Sequence, residues 1–121
     1  MIIGVPKEIM PGERRVAATP ETVKAMRDMG LTVLVQKDAG EGAFYHDPEY
    51  IAAGAEIVEC PREIFERADM ILKVKEPQFN KELDTHEVDL MHAGQYLITF
   101  IHPAAPANHT MVKDMAAKGI I

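Results

Sequence analysis

Five ionisable side chains stand where predicted strands end, and their types suit the recognition of a small carbonyl acid. Arg14 and Arg15 lie in a turn between the first predicted strand and the first predicted helix. Lys73 and Lys75 close a later strand, and His102 directly follows the next one. Because ligands of open parallel sheets bind outside the carboxyl ends of the strands, these groups are candidates for one shared site.

Each residue type has a distinct role in such a site. An arginine binds a carboxylate through two parallel hydrogen bonds, a lysine polarises a ketone oxygen, and a histidine moves a proton near neutral pH. Strand alternation predicts that Lys73 and Lys75 share a face, and Lys75, nearer the strand end, is the better candidate. The alternative stays open that the arginines are solvated, the lysines face water and His102 is a packing residue.

The elements that must position these residues alternate along the chain. Strands are predicted at residues 2–5, 31–36, 55–58, 70–75 and 96–101, with a sixth starting at Ile120. Helices are predicted at 20–29, 47–53, 61–68 and 81–91, with a last one from 106 or 108 to Gly119. This alternation predicts an α/β, doubly wound, flavodoxin-like and mostly parallel sheet with helices on both faces.

Composition narrows the classes of function. The chain has 121 residues and a net charge of −6, and its basic residues form no run, which disfavours nucleic acid and anionic membranes as partners. Its longest segment without acidic or basic residues contains a glycine, two prolines and three histidines, which does not fit a membrane span. The N-terminus lacks a basic region before an apolar run, so a cytoplasmic location is expected.

The sequence predicts no metal site and no dinucleotide fingerprint. Cys60 is the single cysteine, so neither an internal disulfide nor a thiolate metal site is expected. The spacing of the histidines matches no metal motif, and His46 beside Asp47 is interpreted as a turn residue. Gly40 and Gly42 flank an acid in a loop, which is not the G-x-G-x-x-G pattern of a dinucleotide site.

Three motifs together resemble one enzyme family. They are Ile3-Gly4-Val5-Pro6-Lys7-Glu8 with Arg15-Val16-Ala17-Ala18-Thr19-Pro20, then Leu72-Lys73-Val74-Lys75-Glu76-Pro77, and then Thr99-Phe100-Ile101-His102-Pro103-Ala104. Their order and spacing resemble the N-terminal domain of the alanine dehydrogenase and proton-translocating nicotinamide nucleotide transhydrogenase α-subunit family. The resemblance covers nearly the whole chain.

The resemblance implies roles for three residues in an NAD-dependent L-alanine dehydrogenase. By this resemblance, Arg15 binds the substrate carboxylate, Lys75 contacts the carboxylate or keto oxygen of pyruvate, and His102 is the acid and base. Residues 1–121 would form the substrate-side domain, cut before the Rossmann domain that binds NAD, so cofactor-binding residues are expected outside this chain. The family implies a homo-oligomer, and the substrates implied are small amino or keto acids.

Two other functions stay open. Pro103-Ala104 after the histidine and Ala18 before Thr19 resemble transhydrogenases, which favours the first domain of a transhydrogenase α-subunit as an alternative. The stretch between Pro77 and His102 is longer than the dehydrogenase pattern. The third hypothesis is a stand-alone, non-enzymatic module that binds a small acid or a partner.

Overall fold

The computed structural model describes residues 1–100 and 106–121, and this part of the chain folds around one five-stranded parallel sheet. The strands are β1 (Ile2–Val5), β2 (Thr32–Gln36), β3 (Glu56–Val58), β4 (Met70–Lys75), β5 (Phe79–Asn80), β6 (Thr85–His86) and β7 (Tyr96–Phe100). The helices are α1 (Pro20–Asp28), α2 (Asp47–Ala52), α3 (Pro61–Arg67), α4 (Glu87–Leu90) and α5 (Pro106–Lys118), with a 3₁₀ turn at Glu41–Ala43. Strands β5 and β6 form a separate antiparallel hairpin.

The predicted doubly wound α/β architecture is confirmed, because helices cover both faces of the sheet. On the first face, Ile3 and Val35 pack with Val23 of α1 and Tyr50 of α2. The second face has its own core, in which strand residues meet helical ones. Its buried members are Leu34, Val58, Ile64, Phe65, Ala68, Ile71, Leu90 and Met91. Each central strand therefore sends alternate residues into two cores, as expected for a parallel sheet buried on both sides.

The strand order differs from the flavodoxin-like order expected from the sequence. The sheet runs β3-β2-β1-β4-β7, so the chain moves outward from β1 twice and then crosses back to the other side of β1. Strand β3 has only three residues, and its Glu56 is exposed, which suits an edge. Strand β4 has six residues, including the buried Ile71, so its apolar side chains are covered best in the interior.

Gly4 permits the return crossover that produces this order. A Cβ atom at Gly4 would lie 2.8 Å from both the Ala68 Cβ and the Ile64 Cγ2 atoms of the α3 segment. The bare backbone at this position therefore lets α3 lie directly on β1 and carry the chain across to β4.

The helix predicted at 81–91, between β4 and β7, is wrong for most of its length. Residues 79–86 form the β5–β6 hairpin, and only Glu87–Leu90 is helical. The Asn80 side chain accepts a hydrogen bond from the Leu83 amide at 2.9 Å, which stabilises the turn. The hairpin also depends on Glu87, whose amide donates to the Gln78 carbonyl, and such a contact nine residues apart has no local sequence signal.

The helix start at Thr19 is confirmed. The Thr19 hydroxyl accepts from the Thr22 amide at 3.3 Å, Pro20 occupies the first turn and Glu21 supplies its acid. This cap fixes the point at which the arginine-bearing loop after β1 ends. Among the helices of the described residues, none combines the length and the apolar character needed to cross a membrane.

No strand is formed at Ile120 and Ile121, where a sixth strand was predicted to start, but the Ile121 backbone makes two hydrogen bonds beside β7. The Ile121 amide donates to the Gln95 carbonyl at 2.9 Å, and the Leu97 amide donates to the Ile121 carbonyl at 3.1 Å. This pattern is that of a parallel pair, with Ile121 lying beside β7 on the side away from β4.

Candidate functional site

The strand order places a topological switch point between β1 and β4. From β1 the chain turns through α1 towards β2, whereas from β4 it proceeds to β7 on the opposite side. The two connections diverge above the carboxyl ends of β1 and β4, which leaves the crevice where α/β proteins bind ligands. The loop 6–19 and the end of β4 border this crevice, and they carry Arg15 and Lys75.

Arg15 is exposed and is held in one orientation by Glu13. The Glu13 carboxylate accepts from the Arg15 Nη2 at 2.8 Å, from its Nε at 3.0 Å and from its backbone amide at 2.8 Å. Side-chain exposure is 64% for Arg15 and 5% for Glu13, so the carboxylate lies underneath and the guanidinium faces outward. Glu13 uses two of the five guanidinium N–H donors, and the others suit a second carboxylate.

The contact between Glu13 and Arg15 lowers the pKa of the acid and raises the pKa of the base, so both side chains are ionised. Hydrogen bonds from the Arg15 side chain and backbone lower the pKa of Glu13 to about 2, and the nearby Lys75 ammonium contributes to this lowering. The Glu13 hydrogen bond raises the pKa of Arg15, and the Glu8 carboxylate adds a smaller contribution. Arg15, Lys75, Glu13 and Glu8 are therefore electrostatic neighbours at the switch point.

A β-bulge sets the direction of Lys75. Leu72 pairs with Ile98 and Lys75 pairs with Phe100, so two residues on β4 lie opposite one residue on β7. Because register partners in a parallel sheet lie on the same face, Lys75 lies on the face of Leu72 and Phe100. Bulges of this kind redirect a side chain.

The prediction that Lys73 shares this face is wrong for the same reason. The Lys73 side chain is fully buried on the opposite face, with its Nζ 3.2 Å from Glu8 Oε1 and 3.4 Å from Glu87 Oε1. The extra residue in β4 breaks the alternation between Lys73 and Lys75. Lys73 is therefore an internal counter-ion, and Lys75 is the lysine on the side of Arg15.

A groove of about 430 Å³ lies on the Arg15 side of the sheet. It is lined by Arg15, Val16 and Ala17 of the loop after β1, by the segment 72–74 of β4, and by Ile98 and Phe100 of β7. Lys75 is not among the lining residues, and the Lys73 ammonium points away to Glu8 and Glu87. The walls are apolar, and Arg15 supplies a positive charge. This combination suits a small anionic molecule with a short aliphatic part.

A larger cavity of about 730 Å³ lies between the loop after β1 and the β5–β6 hairpin. Its walls carry charges of both signs, among them Lys7, Lys37, Asp38 and Glu59. Although this cavity is the larger of the two, Arg15 does not line it, whereas Arg15 does line the smaller groove. The smaller groove is the better candidate for binding a carboxylate.

The structure does not test the role predicted for His102, because this residue lies outside the described residues. The described strand β7 ends two positions earlier at Phe100, the residue opposite Lys75. The place of His102 in a site with Arg15 and Lys75 stays a prediction.

Within the described residues, the glycines after β2 serve packing and do not form a phosphate cradle. A Cβ atom at Gly40 would lie 2.7 Å from the Tyr50 ring, and one at Gly42 would lie 2.9 Å from the Arg14 carbonyl oxygen. The close approach of Tyr50 and of the Arg14 backbone accounts for these two glycines, so they do not form a dinucleotide-binding loop.

One acidic cluster occurs among the described residues, at Asp38, Glu41 and Asp47. Their carboxylate oxygens lie within 4.8 Å of one another, but Asp47 accepts from the Asp38 amide at 3.0 Å. Glu41 accepts from His46 Nδ1 at 2.9 Å and raises the pKa of that imidazole. These contacts explain the cluster as part of a turn, in line with the interpretation of His46 as a turn residue.

Sequence reasoning missed two acidic residues, Glu8 and Glu13. Glu13 stands two residues before Arg15, and in an extended segment such a spacing brings side chains to one side, which is a usable signal. Glu8 is 8% exposed and contacts residues more than sixty positions away, so no local pattern indicates it.

Comparison with known proteins gives one family and several close relatives. The family model described as "Alanine dehydrogenase/PNT, N-terminal domain" matches residues 4–121. An alanine dehydrogenase of Methanococcus maripaludis is 47% identical over 104 residues, which are 86% of this chain and 26% of that protein. The chain thus spans about a quarter of the length of this curated relative.

Two solved structures match the fold across 99% of this chain. One is an L-alanine dehydrogenase, with a TM-score of 0.87, 37% identity and 31% of its own chain covered. The other is a transhydrogenase from Sinorhizobium meliloti, with a TM-score of 0.86, 32% identity and 33% of its chain covered.

Proposed function

Because the chain belongs to the alanine dehydrogenase/PNT N-terminal domain family, we propose that it is the substrate-binding domain of an NAD-dependent L-alanine dehydrogenase. The observation that carries this proposal is the joint position of Arg15 and Lys75 on one face of the switch point. An apolar groove with Arg15 in its wall, and with the Lys75 ammonium close enough to lower the pKa of Glu13, suits a small keto acid better than a nucleotide or a peptide.

In the proposed reaction, Arg15 binds the carboxylate of alanine or pyruvate through the guanidinium donors that Glu13 leaves available. Glu13 accepts from the Nε edge and so orients the fork towards the groove. Lys75 donates a hydrogen bond to the keto oxygen and stabilises the charge that develops there. His102 exchanges a proton with the oxygen or nitrogen on the reacting carbon.

The nicotinamide cofactor would bind to a part of the protein outside this chain. NAD accepts the hydride when it is bound, and the packing around Gly40 and Gly42 supports a cofactor site elsewhere than in this loop. The domain proposed here therefore binds and orients the substrate only.

Residues 1–121 are proposed to be one domain of a longer chain. On the first face of β7, Tyr96, Ile98 and Phe100 are 41%, 58% and 70% exposed. Large apolar side chains in a row on a sheet face support a covering segment. The parallel hydrogen bonds of Ile121 with β7 support a sheet that continues. A cytoplasmic homo-oligomer is proposed for the complete protein.

A transhydrogenase α-subunit is the second candidate function. It is favoured by the TM-score of 0.86 to a transhydrogenase, almost equal to that of 0.87 to an alanine dehydrogenase, and by Pro103-Ala104 after His102. In that case this domain would be the first part of a protein that takes part in hydride transfer between NAD(H) and NADP(H).

The deciding experiment measures NADH formation by the full-length protein with L-alanine and NAD, and the reverse reaction with pyruvate, ammonium and NADH. Arg15→Met should raise the KM for pyruvate by roughly 10- to 100-fold, since a hydrogen bond to a charged group contributes about 1.5–3 kcal/mol. His102→Ala should lower kcat by about 10²- to 10⁴-fold. The neighbouring exposed Arg14→Met is the matched control and should leave both constants unchanged.

Three results would contradict the proposal. A wild-type protein that exchanges hydride between NAD(H) and NADP(H) but is inert towards alanine would favour the transhydrogenase. Arg15→Met with a wild-type KM would remove the carboxylate anchor. A His102→Ala variant with unchanged kcat would remove the proton-transfer role.

A further inference from the structure

The β-bulge that directs Lys75 is closed by a side chain and not by a neighbouring strand. The Glu8 carboxylate accepts from the Val74 amide through Oε2 at 3.0 Å and from the Lys75 amide through Oε1 at 3.0 Å. In a regular strand, two successive amides face opposite edges, so both can reach one carboxylate only where the backbone is irregular.

Glu8 takes the place that strand β1 vacates. The register of β1 with β4 runs from Ile3 beside Met70 to Gly4 beside Ile71, and β1 ends at Val5. Past that point, the amides of Val74 and Lys75 need another acceptor, because buried N–H groups are almost always paired. The chain after β1 supplies one in the form of the Glu8 side chain.

The Glu8 carboxylate is paired with a buried lysine that a second acid shares. Lys73 Nζ lies between Glu8 and Glu87, and side-chain exposure is 0% for Lys73 and 2% for each acid. Glu87 also accepts from the Gln78 amide at 2.8 Å, which attaches the hairpin segment to the same lysine. Buried ion pairs are often no more stabilising than apolar packing, so what distinguishes this cluster is its pair of hydrogen bonds to the amides of β4.

We propose that Glu8 is a positioning residue for the reaction: its carboxylate holds the β4 bulge and thereby keeps Lys75 on the face of Arg15. Lys73, which also contacts Glu87, holds that carboxylate in place. This inference rests on the function proposed above, because Lys75 has to meet the substrate for its direction to matter. Without the bulge, β4 would alternate regularly, and Lys75 would lie on the face of the sheet where Lys73 now lies.

The first arm of the test is structural and needs no activity. Crystal structures of full-length Glu8→Ala and Glu8→Gln are compared with those of the wild type and of Glu66→Gln, an exposed acid on α3. We expect the pairing of Lys75 with Phe100 to be lost in Glu8→Ala, whereas the control keeps it. Glu8→Gln preserves side-chain volume and one acceptor oxygen, so it carries this arm if Glu8→Ala does not fold.

The second arm is a kinetic double-mutant cycle with pyruvate. Glu8→Gln in the wild-type background should lower kcat/KM by about 10- to 100-fold, the range for a displaced catalytic group. The same substitution in a Lys75→Met background should lower it by less than about twofold, because the group that Glu8 positions is gone. A merely structural role would give the same loss in both backgrounds.

The two arms separate this inference from the proposed function. Wild-type protein without activity on alanine or pyruvate refutes the function, and the crystal structures alone then decide whether Glu8 sets the face of Lys75. An unchanged bulge in the Glu8 variants overturns the inference even in an active enzyme. Equal kinetic losses in both backgrounds also overturn it.

Discussion

Gln95 connects the end of α3 to the start of β7, and its replacement by methionine offers a sharp test of the packing under the site. Its side chain is fully buried, and Nε2 donates to the Phe65 and Ala68 carbonyls at 2.8 Å each. Both carbonyls belong to the last turn of α3, where helical acceptors have no helical donors left. Methionine has a similar length but provides no donor.

The magnitude follows from the groups left without partners. Each buried carbonyl that loses its donor costs about 1–3 kcal/mol. Within the described part of the chain, the Gln95 Oε1 atom is itself buried without a hydrogen-bond partner, and methionine removes a cost of similar size at that atom. Two carbonyls lose their donor and one unpaired oxygen is removed, so the free energy of unfolding should fall by about 1–3 kcal/mol.

The assay is reversible urea unfolding followed by far-ultraviolet circular dichroism. The midpoint should fall with an unchanged slope, since the surface exposed on unfolding stays the same. Gln36→Met is the matched control, because Gln36 Oε1 accepts one exposed hydrogen bond, from the Lys7 amide, and its loss should change stability by less than about 1 kcal/mol. If Gln95→Met is as stable as the wild type or more stable, the two hydrogen bonds from Gln95 to the end of α3 do not stabilise the fold, and the reasoning is refuted.

Three further predictions concern single contacts. Gly4→Ala should destabilise by about 1–3 kcal/mol through its 2.8 Å approach to Ala68, and a Gly4→Ala/Ala68→Gly double variant should recover part of the lost melting temperature. Tyr50→Phe should cost about 1–2 kcal/mol in urea unfolding, because the buried Tyr50 hydroxyl donates to the Ala18 carbonyl at 2.7 Å. Because the pKa of Glu13 is lowered from 4.5 to about 2, its ionised form stabilises the fold above pH 4.5, and this contribution should disappear as the pH falls towards 2. The stability difference between wild type and Glu13→Gln should therefore shrink over that interval in acid titrations followed by circular dichroism, and a constant difference would contradict the prediction.

Local patterns were sufficient for the elements near Arg15. Thr19 before Pro20 predicted the helix start, because capping and the fixed backbone of proline act within one turn. The apolar run 70–75 likewise predicted β4, as a strand buried on both faces is recognisable from composition. The hairpin 79–86 was missed, since part of its stability comes from contacts between Gln78 and Glu87, nine residues apart, which no local pattern indicates.

Local patterns in the chain were enough to predict an α/β domain with cations at its strand ends, because the period of apolar residues and the chemistry of side chains are local properties. The tertiary structure alone decided the strand order, since that depends on how closely α3 can approach β1 at Gly4. It also decided which lysine lies beside Arg15. Alternation predicted one face for Lys73 and Lys75, but one extra residue in β4, held by Glu8 from a distant loop, separated them. A bulge is a property of two strands and their neighbour, so it is not encoded in either strand alone.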